Sequence, residues 1–155
     1  MKAKPVADSK TIMSQLMMPT DSNSKGYVLG GTILAIADKV AYVCATRHAG
    51  NYCVTASVER VDFHEPIKIG ELVTFMASVN FVGKTSMEVG IRVEAETLPE
   101  CKKRHTNSIY MTMVALDKNN KPTKVPRLIL KTKEEKRRFK EGEKRRKLRL
   151  ERLKK

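Results

Sequence analysis

The sequence predicts an α+β domain in which a curved antiparallel sheet closes around one long helix. Three observations predict it. Residues 30–45 are apolar or small on nearly every side of a helix, around a single acid, Asp38. Strand-like runs follow that segment, one of them in strict apolar–polar alternation. Polar, turn-forming residues separate these elements. A helix that is apolar all round is stable only when something wraps it, and an antiparallel sheet is the simplest wrapper for so few elements.

Each element has its own local reason. Residues 1–10 read as a loose arm. Thr11 to Met18 is short, apolar-rich and stopped by Pro19, which marks a first strand. Pro19-Thr20-Asp21-Ser22-Asn23-Ser24-Lys25-Gly26 is a polar loop. The helix runs from about Gly30 to about His48, and Gly50-Asn51 ends it. Strands follow over Tyr52–Phe63, with Val54, Ala56 and Val58 alternating with Thr55, Ser57 and Glu59, and over Leu72–Val82. The clearest period-two signal is Met87, Val89, Ile91, Val93 and Ala95 against Glu88, Gly90, Arg92, Glu94 and Glu96. A last strand spans His105–Leu116. Without further helices to cover both sheet edges, pairing between subunits is expected.

The net charge of +14 is unevenly placed. Residues 124–155 hold 16 Lys and Arg against 5 Asp and Glu, leaving the rest of the chain nearly balanced. That partition sets the expected organisation: an arm at 1–10, one folded domain at 11–123, and a basic helical tail at 124–155. Thr132-Lys133-Glu134-Glu135 reads as the start of the tail helix, with acids in its first turn. Glu134–Arg138 and Glu143–Lys147 have the spacing of i,i+4 ion pairs, and the helix is expected to be solvated.

Composition also excludes function classes. No apolar run reaches membrane-spanning length, and the N-terminus has no apolar signal core. Three cysteines (Cys44, Cys53, Cys101) are odd in number and far apart, so neither a disulfide framework nor a zinc site is indicated. A reducing, cytoplasmic location is expected. His48, His64 and His105 lie on different segments without metal-ligand spacing and read as structural or surface residues. No metal and no separate cofactor are expected.

A carboxylate inside an oily helix is costly unless paired, hydrogen-bonded or put to use. Asp38 is therefore a candidate catalytic group, with a structural ion pair as the competing account. Gly30 and Gly31 stand where a helix start presents unpaired N–H donors to an anion. Thr55 lies on a strand bordering this region and reads as an ordinary core or surface threonine.

Met18-Pro19-Thr20-Asp21-Ser22-Asn23-Ser24-Lys25-Gly26, followed by Gly30-Gly31-Thr32-Ile33, Asp38 and Ala41, resembles the signature of hotdog-fold acyl-CoA thioesterases, in the cytosolic acyl-CoA hydrolase branch. Thr46-Arg47-His48, Val61 to Ile67, Gly70-Glu71 and Val82 to Met87 are similar to that branch as well. The resemblance covers roughly residues 10–115. It implies a hotdog fold, a dimer joined sheet edge to sheet edge and commonly assembled as a trimer of dimers, and a site at the dimer interface. It also implies hydrolysis of acyl-CoA to free acid and CoA, with CoA as part of the substrate. Asn23 and Asp38 match the family's catalytic pair, contributed by opposite subunits. Asp38 then serves as general base or as nucleophile, and Gly30 and Gly31 as oxyanion donors. Gly83, Lys84, Thr85 and Ser86 match a CoA-binding loop that would meet its phosphates, or else form a plain hairpin turn. Two rival readings stay open: nucleic-acid binding through the tail, which the 5% aromatic content disfavours, and a non-catalytic acyl-CoA- or nucleotide-binding hotdog protein.

Overall fold

Alternation of apolar side chains with polar ones lets each strand bury one face, and that face is laid against the helix. The computed structural model describes residues 1–155. The elements are β1 (Lys4–Pro5), β2 (Thr11–Leu16), α1 (Gly30–Ala49), β3 (Tyr52–Phe63), β4 (Leu72–Val82), β5 (Ser86–Thr97), β6 (Lys102–Leu116), β7 (Leu128–Ile129) and α2 (Lys133–Leu153). A five-stranded antiparallel sheet has the order β2-β4-β5-β6-β3, and β1 pairs with β7 in a separate parallel ribbon. Met87, Val89, Ile91, Val93 and Ala95, the alternating set, are all buried against α1. So are Val73, Phe75, Ala77 and Val79 of β4, and Ile109, Met111 and Met113 of β6. From the helix, Ile33, Ile36, Ala37, Val40, Ala41, Cys44 and Ala45 complete this core. Gly50 adopts the left-handed conformation (φ 68°) that ends α1, where its N–H bonds the Thr46 carbonyl.

Three expectations about the domain and its N-terminal arm need correction. The first strand stops at Leu16, because Met17 leaves the ladder to bond Glu71 O and Gly70 N, and Pro19 opens a 3₁₀ turn. α1 is not enclosed all round: Gly31, Ala35, Asp38, Lys39 and Tyr42 are exposed along one side. The sheet curves over the other side and ends at β3, an edge strand, so one chain supplies no cover there. Residues 4–9 are packed rather than loose, with Val6 and Ser9 buried and Lys4 N bonded to Arg127 O.

The tail is a helix, but it is docked rather than solvated. Thr132 and Glu135 form the capping box that starts α2, and Glu134–Arg138 pairs at 2.9 Å. No Glu143–Lys147 pair forms; the helix points other side chains at the outer face of the sheet. Arg145 forks onto Glu88 at 2.7 and 2.8 Å and lies over the Tyr110 ring. Arg149 reaches Glu59 at 3.1 Å. Phe139 packs on Phe81 beside the buried Gly142. Two strand acids, Glu59 and Glu88, thus pair with three arginines of the tail.

Candidate active site

The polar loop is built as a small hairpin pinned at both ends. Ser22 bridges Val28, Tyr27 bridges Lys68, and Val28 N–H donates to Ile67 O. The segment that receives it is held by Glu71. This buried carboxylate accepts from the Lys68 N–H and from Thr97, and is paired with Arg104, which also bonds Pro66 O. Hydrogen bonding from the Arg104 guanidinium holds Glu71 below the usual carboxylate range, against the effect of burial. Inside the hairpin, Asn23 Oδ1 accepts from Lys25 N–H at 2.9 Å and from Tyr27 N–H at 3.2 Å. With its oxygen committed, the exposed amide has its NH₂ group left to offer, so Asn23 is presented as a donor.

The same loop is tied to the start of α1. Leu29 N–H and the Thr32 hydroxyl both donate to Asp21 O. Leu29, at the N-cap, provides no capping side chain, and neither Gly30 N–H nor Gly31 N–H has an acceptor in the chain. The two glycines differ. A side chain on Gly30 would meet the Phe63 ring at 3.2 Å, whereas nothing lies within 4 Å of the same position on Gly31. Gly30 is thus glycine for packing, and Gly31 leaves open approach to unpaired donors at the positive end of the helix. Beside them opens a cleft of about 280 Å³, walled by Val28, Ile33, Phe63 and Ile67 among others.

Asp38 lies on the uncovered side of α1, one or two turns from Gly31, Ala35 and Tyr42. It is exposed in the single chain and has no ion pair; its partner is Thr55 of β3, whose hydroxyl donates to Asp38 Oδ1 at 2.5 Å. Tyr42 and Tyr52 meet edge to face beside them, with ring centroids 6.0 Å apart. Thr55 is the residue that sequence reading passed over. Its signal, a hydroxyl among the alternating residues of β3, is the same as that of any surface threonine, and only the fold brings it to an acid 17 positions away. Asn23 and the helix start are brought together by Asp21, and Asp38 and Thr55 by the α1–β3 contact. No hydrogen bond joins Asn23 to Asp38 within one chain.

The residues 83–86 form the β4–β5 turn. Gly83 N–H bonds Ser86 O, and the carbonyls of Lys84 and Thr85 accept from Val125 N–H and Ala115 N–H. These backbone groups are committed to structure, which leaves the exposed Lys84 ammonium and the Ser86 hydroxyl free to face a ligand. His64 and His105, on separate segments in the sequence, stand 5.1 Å apart, and His105 bonds Asn107 O and Ser108. Burial pushes the Cys44 thiol up to about 12, so it stays protonated and inert as a nucleophile.

An open helix face bearing one acid thus stands next to an uncapped glycine helix start. Residues 25–102 match the thioesterase superfamily. The chain belongs to this superfamily. Among relatives of this thioesterase, protein VdlD of Helicobacter pylori is 47% identical over 141 residues, covering 91% of this chain and 80% of that one. A crystal structure of an apo hexameric acyl-CoA thioesterase superposes with a TM-score of 0.94 at 36% identity, over 99% of this chain and 98% of that one. The acyl-CoA hydrolase of Staphylococcus aureus, solved with butyryl coenzyme A, coenzyme A and coenzyme A disulfide, gives 0.92 at 33% identity, over 97% and 92% of the two chains. That enzyme is also known as single variants in which an asparagine, an aspartate or a threonine is replaced by alanine; the three are spaced 15 and 17 positions apart. The thioesterase described here has the hotdog fold, and neither of its helices is long and apolar enough to cross a membrane.

Proposed function

We propose that this thioesterase hydrolyses acyl-CoA to a free carboxylic acid and CoA, at a site assembled from two chains and without a metal. The observation that carries the reading is Asp38 itself: a carboxylate without an ion pair, held by Thr55, on the exposed side of α1 beside Gly31, Ala35, Lys39 and Tyr42. Asn23, Asp38 and Thr55 repeat the residue types and the 15- and 17-position spacing of the Staphylococcus aureus variants, which supports giving all three to the site. The acyl-CoA ligands and names of the relatives support the substrate class.

Helix geometry supports a two-chain site. Gly31 and Asp38 are seven residues apart on α1, about 10 Å along its axis. A carbonyl held at the Gly31 N–H of one chain is therefore out of reach of the Asp38 of that chain. An acid from a second chain, laid across the exposed side of α1, fills the gap, and the unpaired β3 edge is the adjoining surface for such pairing. Asn23 and the Gly30-Gly31 start then come from one chain, Asp38 and Thr55 from the other. A trimer of such dimers is the assembly that the hexameric relative supports.

The chemistry follows from those placements. The thioester oxygen lies at the Gly31 N–H and the Asn23 amide, both of which donate to it more strongly as it becomes an oxyanion. Asp38, oriented by Thr55, takes a proton from water as the water oxygen bonds to the carbonyl carbon. Collapse of the tetrahedral intermediate expels the CoA thiolate, and the proton returns from Asp38 to sulfur. Attack by Asp38 itself would form a mixed anhydride instead; a single turnover in ¹⁸O water leaves label in the acid by the first course, and label found in Asp38 identifies the second, with water opening the anhydride at the Asp38 carboxyl carbon. Gly83, Lys84, Thr85 and Ser86 form the edge that meets the nucleotide end of the substrate.

Release of free thiol from acyl-CoA tests the reading. Asp38→Ala is expected to lower kcat by about a thousandfold while the assembly and the melting temperature are retained. Thr55→Val is expected to lose about tenfold, and Thr55→Ser, which keeps the donor, is expected to recover most of it. Full turnover by the Asp38 variant would remove the proposed mechanism.

A further inference from the structure

The outer side of the tail helix collects charge that the fold does not use. Every ion pair of α2 is made by an arginine. Arg145 reaches Glu88, Arg149 and Arg152 reach Glu59, and Arg137 and Arg138 use acids of the helix itself. The lysines take no part. Lys133, Lys136, Lys140, Lys144 and Lys147 are all exposed, and none has an ion pair.

Their spacing places the five together. Each step along the series is three or four residues, so at about 100° per residue they fall within about 80° of one another. They form one stripe about 21 Å long, on the side of α2 opposite the docked Arg145 and Arg149. Glu143 is the only acid beside the stripe over that length. The residue types divide by side for a physical reason. Arginine holds a carboxylate with a rigid two-point fork, whereas lysine is a compact, strongly hydrated charge. The inward arginines fasten the helix to the sheet, and the outward lysines are left over. Like charges at i,i+3 and i,i+4 destabilise a helix, so the stripe opposes its own element until an anionic partner covers it.

The shape and chemistry of the stripe select that partner. α2 lies along the sheet, with Phe139 on Phe81 and Gly142 buried, so only a low ridge projects and no groove of a duplex can close around it. The stripe has no arginine, asparagine or glutamine to read base edges and no aromatic ring to stack on bases. A flat anionic surface meets all five ammonium groups at once, and basic clusters of this size on a helix hold proteins to anionic lipid. No large apolar side chain lies within the stripe, so the contact is electrostatic and peripheral rather than inserted.

We propose that the lysine stripe of α2 docks the thioesterase, reversibly, on the anionic headgroups of a phospholipid bilayer. Sedimentation of the full chain with vesicles tests this without turnover, and so independently of the substrate assignment. The protein is expected to pellet with vesicles of equimolar phosphatidylcholine and phosphatidylglycerol and to stay in solution with phosphatidylcholine alone. Release is expected as salt rises from about 0.1 M to about 0.5 M. Each lysine near such a surface contributes roughly fivefold to binding. Lys136→Gln, Lys140→Gln and Lys144→Gln together are therefore expected to weaken binding about a hundredfold, with melting temperature and thiol release unchanged. Lys102→Gln, Lys118→Gln and Lys121→Gln together remove the same charge from other exposed positions and are expected to bind as wild type does. Equal weakening in both triple variants would assign the binding to net charge and overturn the role of the stripe. Tighter binding to double-stranded DNA than to the anionic vesicles at the same salt, lost in the stripe variant, overturns the lipid in favour of a nucleic acid. Absence of sedimentation with anionic vesicles overturns the proposal outright.

Discussion

His48 is fully buried at the last turn of α1, where its Nε2–H donates to the Pro126 carbonyl at 2.8 Å and its Nδ1 faces the interior without a partner. Burial is the largest cause that lowers its pKa below the ordinary 6.5; the Pro126 carbonyl partly opposes this, and the nearby Lys4 ammonium adds to it. The unfolded chain therefore takes a proton before the folded one does. Stability contributed by neutral His48 is complete above 6.5 and is lost as the pH falls from there toward the lowered folded value. The melting temperature is expected to fall between about pH 7 and pH 5.5, and His48→Gln, which keeps a donor for Pro126, is expected to flatten that limb. An identical slope in the variant would assign the acid sensitivity to other groups. This residue was legible only as a histidine without metal spacing. Its hydrogen-bond partner, Pro126, stands 78 positions later, and no local pattern connects the two. Thr55 was hidden for the same reason, whereas Asp38 was visible because an acid among apolar residues breaks a local rule.

At the scale of elements, α2 shows how a helix that looks fully solvated becomes part of the fold. Its charges mask its docking, because the groups that receive it, Glu59 and Glu88, occupy the polar phase of their strands and read as solvent-facing. The alternation of β5 correctly marked which residues face α1, yet it could not say what covers the other side. Gly142 is the contact point: a Cβ there would come within 2.8 Å of Phe81 Cβ and 3.2 Å of Glu88 Oε1. Glycine in mid-helix costs about 1 kcal/mol relative to alanine, so propensity alone predicts that Gly142→Ala stabilises. Overpacking against a Cβ atom costs about 1–3 kcal/mol, and the close approach is expected to win. Gly142→Ala should lower the melting temperature by a few degrees and Gly142→Val by more. Hydrogen exchange should rise along α2 in both variants and remain slow in β5 and β6. A rise in melting temperature with alanine would mean that α2 can shift on the sheet without losing its ion pairs.

At the scale of the whole molecule, one chain exposes what a second would cover. The uncovered side of α1 presents Gly31, Ala35 and Tyr42 around Asp38, and β3 presents Tyr52, Val58 and Phe63 along an edge of twelve residues. A soluble chain seldom leaves so much apolar surface beside unpaired strand edges. Subunit complementation decides whether the proposed site crosses this seam. Asn23→Ala and Asp38→Ala each inactivate every site when expressed alone, whichever chain supplies the partner residue. In a mixed dimer the outcomes diverge. If Asn23 acts with the Asp38 of the other chain, one site has both residues intact and the second has neither. If the two act within one chain, both sites stay broken. Statistical mixing of equal amounts makes half of the dimers mixed, so a crossed site restores about a quarter of wild-type activity. Co-expression of the two variants with different tags, followed by tandem purification of mixed dimers, raises the expected recovery to about half. A mixed dimer without activity would place Asn23 and Asp38 on the same chain, and the 10 Å argument along α1 would then have to yield to a rearranged loop.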